Sequence, residues 1–412
     1  MKKMRLIEAK TLQIKSFTDQ DIPPYAILSH TWGGDEVTFD DWNHVRCTAD
    51  SAGFAKIQAA CRQTLKDNIE YVWADTVCID KSSSAELSEA INSMYAWYRD
   101  AQVCYVYLSD VDAEDAFEKR QFHSSRWFTR GWTLQELLAP KEVIFYASDW
   151  TQIGTRRKLA LDIACATRIP RRYLTGSSMA QMASISMKMS WISKRQTTRI
   201  EDMAYSMLGL FDINMSLLYG EGRKAFIRLQ KEILKVSPDH TLFCWSWKPS
   251  VPANWVSLLA PAPDVFEHTG DFSTMADRSS RPYPYMMTNF GLSITLPIIQ
   301  CWSFSFVVLS AAGIEDDKVT CIPVKLRPDF KFKGIYERTA FPPGPVLLEQ
   351  KHCGLWRNHI VRSLPNLTPM GIGRPRGIQY GDFDGRLLDL LLWQERVLTR
   401  VKRRLTRLLI NV

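Results

Sequence analysis

The chain has 412 residues, 46% of them hydrophobic, and a formal net charge of +8 at pH 7. This length predicts two or three domains, and the hydrophobic content excludes a wholly disordered chain because it is enough for packed cores. The charge is too moderate to indicate nucleic-acid binding by itself, and much of it lies in residues 384–412.

The cysteines and the N-terminus both favour a cytoplasmic protein. The nine cysteines are odd in number and no two have C-x-x-C spacing, which is typical of reduced thiols and not of a disulfide framework. Residues 1–8 lack the apolar segment of a signal peptide. We therefore expect a cytoplasmic location.

Short apolar segments alternate with amphipathic segments between residues 20 and 150. The apolar segments predict four strands, at 25–29, 71–74, 103–108 and 143–146. The amphipathic segments predict three helices: 53–65, one that opens with a capping box at Ser83 and Glu86, and one that contains Glu136 and ends at Pro140. Strands that are apolar throughout are typical of parallel sheets covered on both faces. The fold class predicted for residues 1–150 is therefore α/β, with a doubly wound parallel sheet.

Polar residues gather where these strands end. In open α/β sheets, ligands bind outside the carboxyl ends of the strands. The polar side chains at these ends are Ser29, His30, Trp32, Asp75, Cys78, Asp80, Ser109 and Asp110. Asp75 and Asp80 either bind a ligand or cap the helix that follows. His30 and Cys78 are candidates for a nucleophilic pair, although the sequence shows no third, orienting group.

Glu136 stands in a mostly apolar and aromatic stretch, four positions after Trp132. On a helix these two residues share a face, and a carboxylate buried there is costly unless it has a partner. One interpretation is structural: Glu136 pairs with Arg126 or Arg130, or accepts backbone N–H groups. The other is that Glu136 carries out chemistry. Trp132 is likewise either part of the core or a platform for the ring of a ligand.

Two further regions follow the first domain. We predict a helical extension over residues 151–238, with a second capping box at Thr198 and Glu201. Residues 239–380 predict a β-rich C-terminal domain, because prolines are frequent and several segments alternate in polarity. Within it, residues 291–314 are uncharged and long enough to span a bilayer, but their alternation favours strands.

Residues 381–412 are predicted to form a basic amphipathic tail. Between 384 and 412, leucines recur at near-helical spacing among arginines. A solvated helix is one interpretation of this pattern, and contact with a membrane surface is the other. We predict neither a transmembrane segment nor a nucleic-acid partner.

Several common binding motifs are absent from the sequence. It contains no G-x-x-x-x-G-K-[ST] and no G-x-G-x-x-G motif for phosphate binding. The seven histidines are scattered, and H-E-x-x-H does not occur. We therefore expect no resident cofactor and no metal.

Several motifs, four of which contain tryptophan, follow one another in a specific order. The long ones are 24–33, 71–81 and 125–137, and shorter ones are 189–191, 195–202 and 218–222. Together they resemble the fungal branch of the heterokaryon incompatibility (HET) domain family, over roughly residues 1–245. One departure is Val77 before Cys78, where similar members often carry two cysteines.

The resemblance implies a protein of fungal non-self recognition, a form of innate immunity, whose domain triggers programmed cell death. It also implies a distant similarity to TIR domains, some of which cleave NAD+ with a glutamate in a W-x-x-x-E pattern. Trp132 and Glu136 match that pattern, and Ser29 is similar to the serine that follows the first TIR strand. On this resemblance Glu136 is the expected catalytic residue, NAD+ is a candidate substrate, and Ser29 and Trp132 are expected to bind it. Trp32 and Asp75, at the carboxyl ends of the strands, are the other expected binding residues.

The alternative is a signalling module that has no catalytic turnover. Such a module acts through self-association or through another incompatibility protein. The sequence contains no P-loop that would drive assembly with a nucleotide, so activation has to come from a partner or from self-association. Both hypotheses stay open on the sequence alone.

Overall fold

The computed structural model describes the chain in segments, which are residues 3–18, 21–43, 51–116, 119–274, 285–288, 291–300, 305–312, 318–326, 335–338, 344–349 and 357–363. The chain divides into two compact units. Unit 1 is Met1–Ala183 with Lys194–Leu229, and unit 2 is Ser184–Ser193 with Gln230–Val412. The domain limits predicted after residues 150, 238 and 380 stay predictions.

Unit 1 is built on a seven-stranded sheet. Its strands are β1 (Lys3–Glu8), β2 (Ile14–Thr18), β3 (Tyr25–His30), β4 (Tyr71–Trp73), β5 (Val103–Tyr107), β6 (Val143–Tyr146) and β7 (Gln152–Thr155). Their spatial order is β2-β1-β4-β3-β5-β6-β7. The four central strands are parallel, and the outer strands pair antiparallel. The α/β class is therefore confirmed, with the parallel part limited to the centre of the sheet.

The structure corrects the sequence analysis at the two edges of this sheet. The hairpin of β1 and β2 was not predicted, and β7 falls in a region that was predicted to be helical. β7 has only four residues, one of them Gly154, so it is too short for its period to be read from the sequence. The four predicted strands are confirmed as β3, β4, β5 and β6.

Ten α-helices are described, two of them of four residues. They are α1 (Phe39–Asn43), α2 (Ala52–Lys66), α3 (Ser84–Asp100), α4 (Arg120–Ser124), α5 (Thr133–Leu138), α6 (Ala160–Thr167), α7 (Arg171–Leu174), α8 (Ile185–Ile192), α9 (Asp202–Tyr205) and α10 (Lys224–Val236). The three helices predicted between residues 20 and 150 are confirmed as α2, α3 and α5. α5 ends two residues before Pro140, which cannot continue a helix with normal hydrogen bonding.

The two predicted capping boxes have different outcomes. The Ser83 side chain accepts a hydrogen bond from the Glu86 backbone N–H and caps α3, as predicted. In a capping box the Glu86 side chain would accept the backbone N–H of Ser83. Here the Glu86 carboxylate accepts the N–H of Asp80 instead. The box at Thr198 and Glu201 is wrong: the Glu201 carboxylate accepts the N–H groups of residues 220 and 222 instead.

Unit 2 begins with α8, which packs against two 3-10 helices, His240–Phe243 and Pro263–Phe266. Asp239 joins the first of these to α8, because its carboxylate accepts the backbone N–H groups of Ile185 and Thr241, both over 2.8 Å. The described strands of unit 2 are β8 (Ser273–Thr274), β9 (Tyr285–Thr288), β10 (Gly291–Gln300), β11 (Ser305–Val308), β12 (Ala311–Ala312), β13 (Lys318–Leu326), β14 (Ile335–Arg338), β15 (Val346–Glu349) and β16 (Arg357–Ser363).

The segment of bilayer-spanning length is confirmed as strand over residues 291–300 and 305–308, which pair antiparallel. Among the described residues, no helix combines the length and the apolar character that crossing a membrane requires. The predicted tail, 381–412, lies outside the described residues. The β-rich character of 239–380 as a whole stays a prediction, because many of its residues lie outside them too.

Candidate functional site

The centre of the unit 1 sheet brings Ser29 and Glu136 together. In the sheet, β3 lies between β4 and β5. The chain therefore runs from β3 to β4 on one side and then crosses to β5 on the other side of β3. Ligand crevices of α/β sheets form at such a switch point. Ser29, the next-to-last residue of β3, donates its hydroxyl to Oε2 of Glu136 on α5. The indole N–H of Trp127 donates to Oγ of Ser29 over 2.8 Å.

Burial determines the charge of Glu136. The residue is 7% exposed, and loss of solvation raises the pKa of its carboxyl to about 8, against hydrogen bonds from Ser29 and Tyr98 and the positive charge of Arg195. The negative charge of Asp75 acts with burial. The carboxyl is therefore mostly protonated at pH 7, and it ionises within the range where a catalytic acid or base works best.

The predicted ion pairs of Glu136 are wrong. Arg126 instead donates to the Thr31 hydroxyl over 3.0 Å and to the backbone carbonyl of Trp32 over 3.3 Å. Arg130 donates to the hydroxyl of Thr198 over 3.0 Å. Arg126 is exposed and Arg130 is half-buried, and each side chain reaches a polar group other than Glu136.

Trp32 and Asp75 form the rim of the same edge of the sheet. Trp32 is 50% exposed, and its indole N–H donates to Oδ2 of Asp75 over 3.0 Å. The Lys81 ammonium lies 3.6 Å from the centroid of the Trp32 ring and 3.6 Å from Oδ2 of Asp75. The structure thus brings Trp32 and Asp75 together at a partly exposed surface. The negative charge of Asp75 raises the pKa of the Glu136 carboxyl.

Trp132 lies four positions before Glu136 along the chain. It is half-buried and directly precedes α5. Its indole N–H hydrogen-bonds the carboxyl of Asp202, a partner that the sequence did not indicate. Trp132 therefore connects α5 to α9, and its role in holding a ligand stays a prediction.

The nucleophilic pair of His30 and Cys78 is wrong. Burial raises the pKa of the Cys78 thiol to about 12, so it stays protonated and unreactive at neutral pH. The buried His30 ring faces carboxylates instead, with Nε2 at 3.6 Å from Glu36 and 3.9 Å from Asp75. Asp80 accepts the N–H and hydroxyl of Ser82 in a turn. It does not cap the following helix, since Ser83 caps α3.

A comparison with known protein families identifies this part of the chain. Residues 25–126 match the family described as Heterokaryon incompatibility protein (HET). This region is a HET domain. The resemblance seen in the sequence motifs is therefore confirmed, whereas the similarity to TIR domains stays a prediction. The match includes Ser29, Trp32 and Asp75, and it ends before Trp132 and Glu136.

One curated relative of the chain is the vegetative incompatibility protein HET-E-1 of Podospora anserina. It is 46% identical over 245 residues, which cover 56% of this chain and 18% of that protein. The chain thus corresponds to less than a fifth of the length of this relative. No solved structure matches the chain.

Three buried residues around Glu136 were not predicted to act on it or on Ser29. They are Tyr98 on α3, Trp127 before α5 and Arg195. Trp127 carried one signal, its place in a tryptophan-bearing motif, but the motif does not say what its indole N–H contacts. In the part of the chain that the structure describes, no three His, Cys, Asp or Glu side chains are arranged to hold a metal ion.

Ser29→Ala is expected to destabilise unit 1 by about 1–3 kcal/mol, because it leaves a buried indole N–H without its acceptor and removes a donor to Glu136. Urea unfolding of the variant and the wild type measures this loss. Ser84→Ala, at the exposed first position of α3, is the matched control and should stay within about 0.5 kcal/mol of the wild type. Equal midpoints for Ser29→Ala and Ser84→Ala would contradict the expectation.

Proposed function

We propose that the chain is an effector of fungal vegetative incompatibility, which responds to a non-self signal by causing death of the cell. The HET match and the identity to a protein named for vegetative incompatibility support this proposal. We also propose a cytoplasmic location. The described cysteines are free, which suits a reducing compartment.

We propose further that the HET domain cleaves NAD+ and that Glu136 is its catalytic residue. The observation that carries this proposal is a carboxyl at the switch point of the sheet whose pKa is raised to about 8 by burial. In the reaction, water adds to the anomeric carbon of the ribose, nicotinamide leaves, and ADP-ribose and a proton are the other products. Positive charge develops on the ribose in the transition state, and a nearby carboxylate stabilises it.

The rim residues suit the rest of such a substrate. In this proposal a planar base stacks on the half-exposed indole of Trp32, in place of the Lys81 ammonium that lies over the ring. The carboxylate of Asp75, beside that indole, is an acceptor for ribose hydroxyls. In this proposal Ser29 orients Glu136, and Trp132 fixes the start of the helix that carries it.

A second candidate function is a signalling module without turnover, which works by self-association or by binding another incompatibility protein. One observation favours it: Glu136 is 7% exposed, and its Oε2 already accepts a hydrogen bond from Ser29. A substrate reaches that oxygen only if the surrounding side chains move. In the second candidate Glu136 is a structural acid that holds α5 against β3.

The test compares full-length wild type with Glu136→Gln, which keeps the shape of the side chain and removes its charge. We expect the wild type to release nicotinamide from NAD+, and the variant to lose this activity by at least a hundredfold. Glu142→Gln is the matched control, because Glu142 is an exposed glutamate shortly after α5. Cell death on induced expression, with cellular NAD+ measured beside it, links the chemistry to the biological role.

The outcomes separate the two candidates. Loss of activity in Glu136→Gln alone supports catalysis. Cell death with unchanged NAD+, or equal release by a folded Glu136→Gln variant, rejects Glu136 as the catalytic residue and favours the non-catalytic module.

A further inference from the structure

A segment well beyond residues 25–126 packs against the turn that leads into α5. The backbone N–H of Gln196 donates to the carbonyl of Thr129 over 2.6 Å, and the N–H of Gly131 donates to the carbonyl of Gln196 over 2.9 Å. A Cβ atom on Gly131 would lie 2.5 Å from Cγ2 of Thr197, closer than any real contact. The two segments are so close that a side chain at residue 131 would require Thr197 to move.

Arg195 begins this segment and ties it to α5. The residue is 5% exposed, and its Nη1 donates to the carbonyl of Arg130 and to the hydroxyl of Thr133, each over 2.8 Å. The hydroxyl of Thr133 donates in turn to the carbonyl of Trp127 over 2.6 Å. One guanidinium thus joins the chain before α5 to the first residue of α5.

The charge of Arg195 acts on Glu136. The guanidinium of Arg195 is buried, and a buried charge is costly without compensation. Glu136 stands three positions after Thr133, a spacing that shares a helix face. Arg195 lowers the pKa of the Glu136 carboxyl, and Glu136 opposes the burial that lowers the pKa of Arg195 to about 9.

Further contacts hold the same segment in place. The carboxyl of Asp202 binds the indole of Trp132 and accepts the hydroxyl of Tyr219 over 3.0 Å. Glu201 accepts the N–H groups of Gly220 and Gly222 over 2.8 and 2.9 Å. These contacts hold Asp202 beside Trp132, and they hold residues 201 and 202 against the turn at residues 219–222.

We propose that Arg195 is a positioning residue for Glu136, which holds the first turn of α5 in place and supplies the positive charge that the ionised carboxylate faces. This inference rests on the proposed function, because it assumes that Glu136 takes part in NAD+ cleavage. It extends the working unit beyond residues 25–126 to include Arg195. Arg195 itself does not touch the substrate.

Loss of Arg195 changes the reaction in a characteristic way. Without the positive charge, Glu136 stays protonated to a higher pH, so less of the carboxylate that stabilises the ribose cation is present at pH 7. Turnover falls at pH 7 and recovers at alkaline pH. Lys in place of Arg195 lacks the planar guanidinium but keeps the positive charge. Because the charge is kept, Arg195→Lys restores most of the activity at pH 7.

The experiment uses full-length wild type, Arg195→Gln, Arg195→Lys and, as the matched control, Arg171→Met, which changes an exposed arginine at the start of α7. The carboxyl band of Glu136 in infrared difference spectra, assigned by its absence in Glu136→Gln, is followed against pH. We expect Arg195→Gln to raise the midpoint of this titration by about one pH unit, and nicotinamide release at pH 7 to fall about tenfold. Arg195→Lys and Arg171→Met should stay near the wild type.

A second measurement needs no arginine variant. In the wild type, the guanidinium NMR signals of Arg195 should titrate with a midpoint of about 8, the same as Glu136, and this titration should vanish in Glu136→Gln. An unchanged infrared midpoint in folded Arg195→Gln, or guanidinium signals indifferent to Glu136, overturns the inference. If the wild type releases no nicotinamide at any pH, the proposed function fails, and the two titrations still decide whether Arg195 governs Glu136.

Discussion

The wild-type chain is expected to lose stability as the pH rises from about 4.5 to about 8, and Glu136→Gln is expected to be spared this loss. The pKa of the Glu136 carboxyl is about 8 in the folded chain and 4.5 when it is unperturbed. Between these values the folded state binds a proton that the unfolded state has already released. The stability that this bound proton on Glu136 contributes is therefore fully present below pH 4.5 and is lost by about pH 8.

The size of this effect follows from the same two values. Each pH unit between them corresponds to about 1.4 kcal/mol, so the full window is worth on the order of 5 kcal/mol. Thermal unfolding of unit 1 at pH 5, 7 and 9 measures it. Since Gln resembles a protonated Glu, the two chains should melt together at pH 5 and separate at pH 9, with Glu136→Gln the more stable.

The control for this experiment is Glu142→Gln, whose curve should run parallel to the wild type at every pH because Glu142 is exposed. Asp202 also has a raised pKa, caused by its burial, and it contributes to the total pH dependence of the wild type. The difference between wild type and Glu136→Gln removes that contribution. Parallel curves for these two chains would show that Glu136 is not buried as described.

Gly209→Ala is expected to destabilise unit 1 by more than about 3 kcal/mol, above the usual range for an overpacked core. A Cβ atom on Gly209 would lie 2.0 Å from Cβ and 2.4 Å from Cγ of Tyr95 on α3. Tyr95 is buried, and its Cβ is fixed by the helix backbone. The clash is therefore relieved only if α3 or the loop of Gly209 moves. Soluble yield and urea unfolding measure the effect.

Two variants make this prediction specific. Gly34→Ala adds a methyl group where no atom lies within 4 Å, so it should change stability by less than about 0.5 kcal/mol. Adding Tyr95→Ala to Gly209→Ala should bring no rescue, because alanine keeps the Cβ atom that causes the clash. A Gly209→Ala chain that unfolds at the wild-type urea concentration contradicts the described packing of this loop.

The central part of the fold was predictable because its strands are mostly buried. All six residues of β3 are buried, so the strand is a continuous apolar run that ends in a visible change to polar residues. β2 has no buried residue, and β7 is only four residues long. Such edge strands depend on pairing with a neighbour, and the sequence of one strand does not carry that information.

Some residues of the candidate site were likewise predictable from the sequence, and others were not. Ser29, Trp32 and Asp75 follow from the rule that ligands bind at the carboxyl ends of parallel strands. Arg195 does not, because it reaches Arg130 and Thr133 from 65 and 62 positions away along the chain. Contacts at that separation are set by tertiary packing, which also explains why Glu201 serves a distant glycine turn and not its own helix.

The route of the chain through the two units affects how the protein is made and how it is cut. Residues 184–193 belong to unit 2, yet they are followed by 194–229 of unit 1. During synthesis α8 leaves the ribosome before Asp239 and Thr241, which bond to its first turn. A fragment that stops at residue 229 contains α8 without those partners. An isolated unit 1 is therefore better obtained by deleting 184–193 and bridging the gap than by simple truncation.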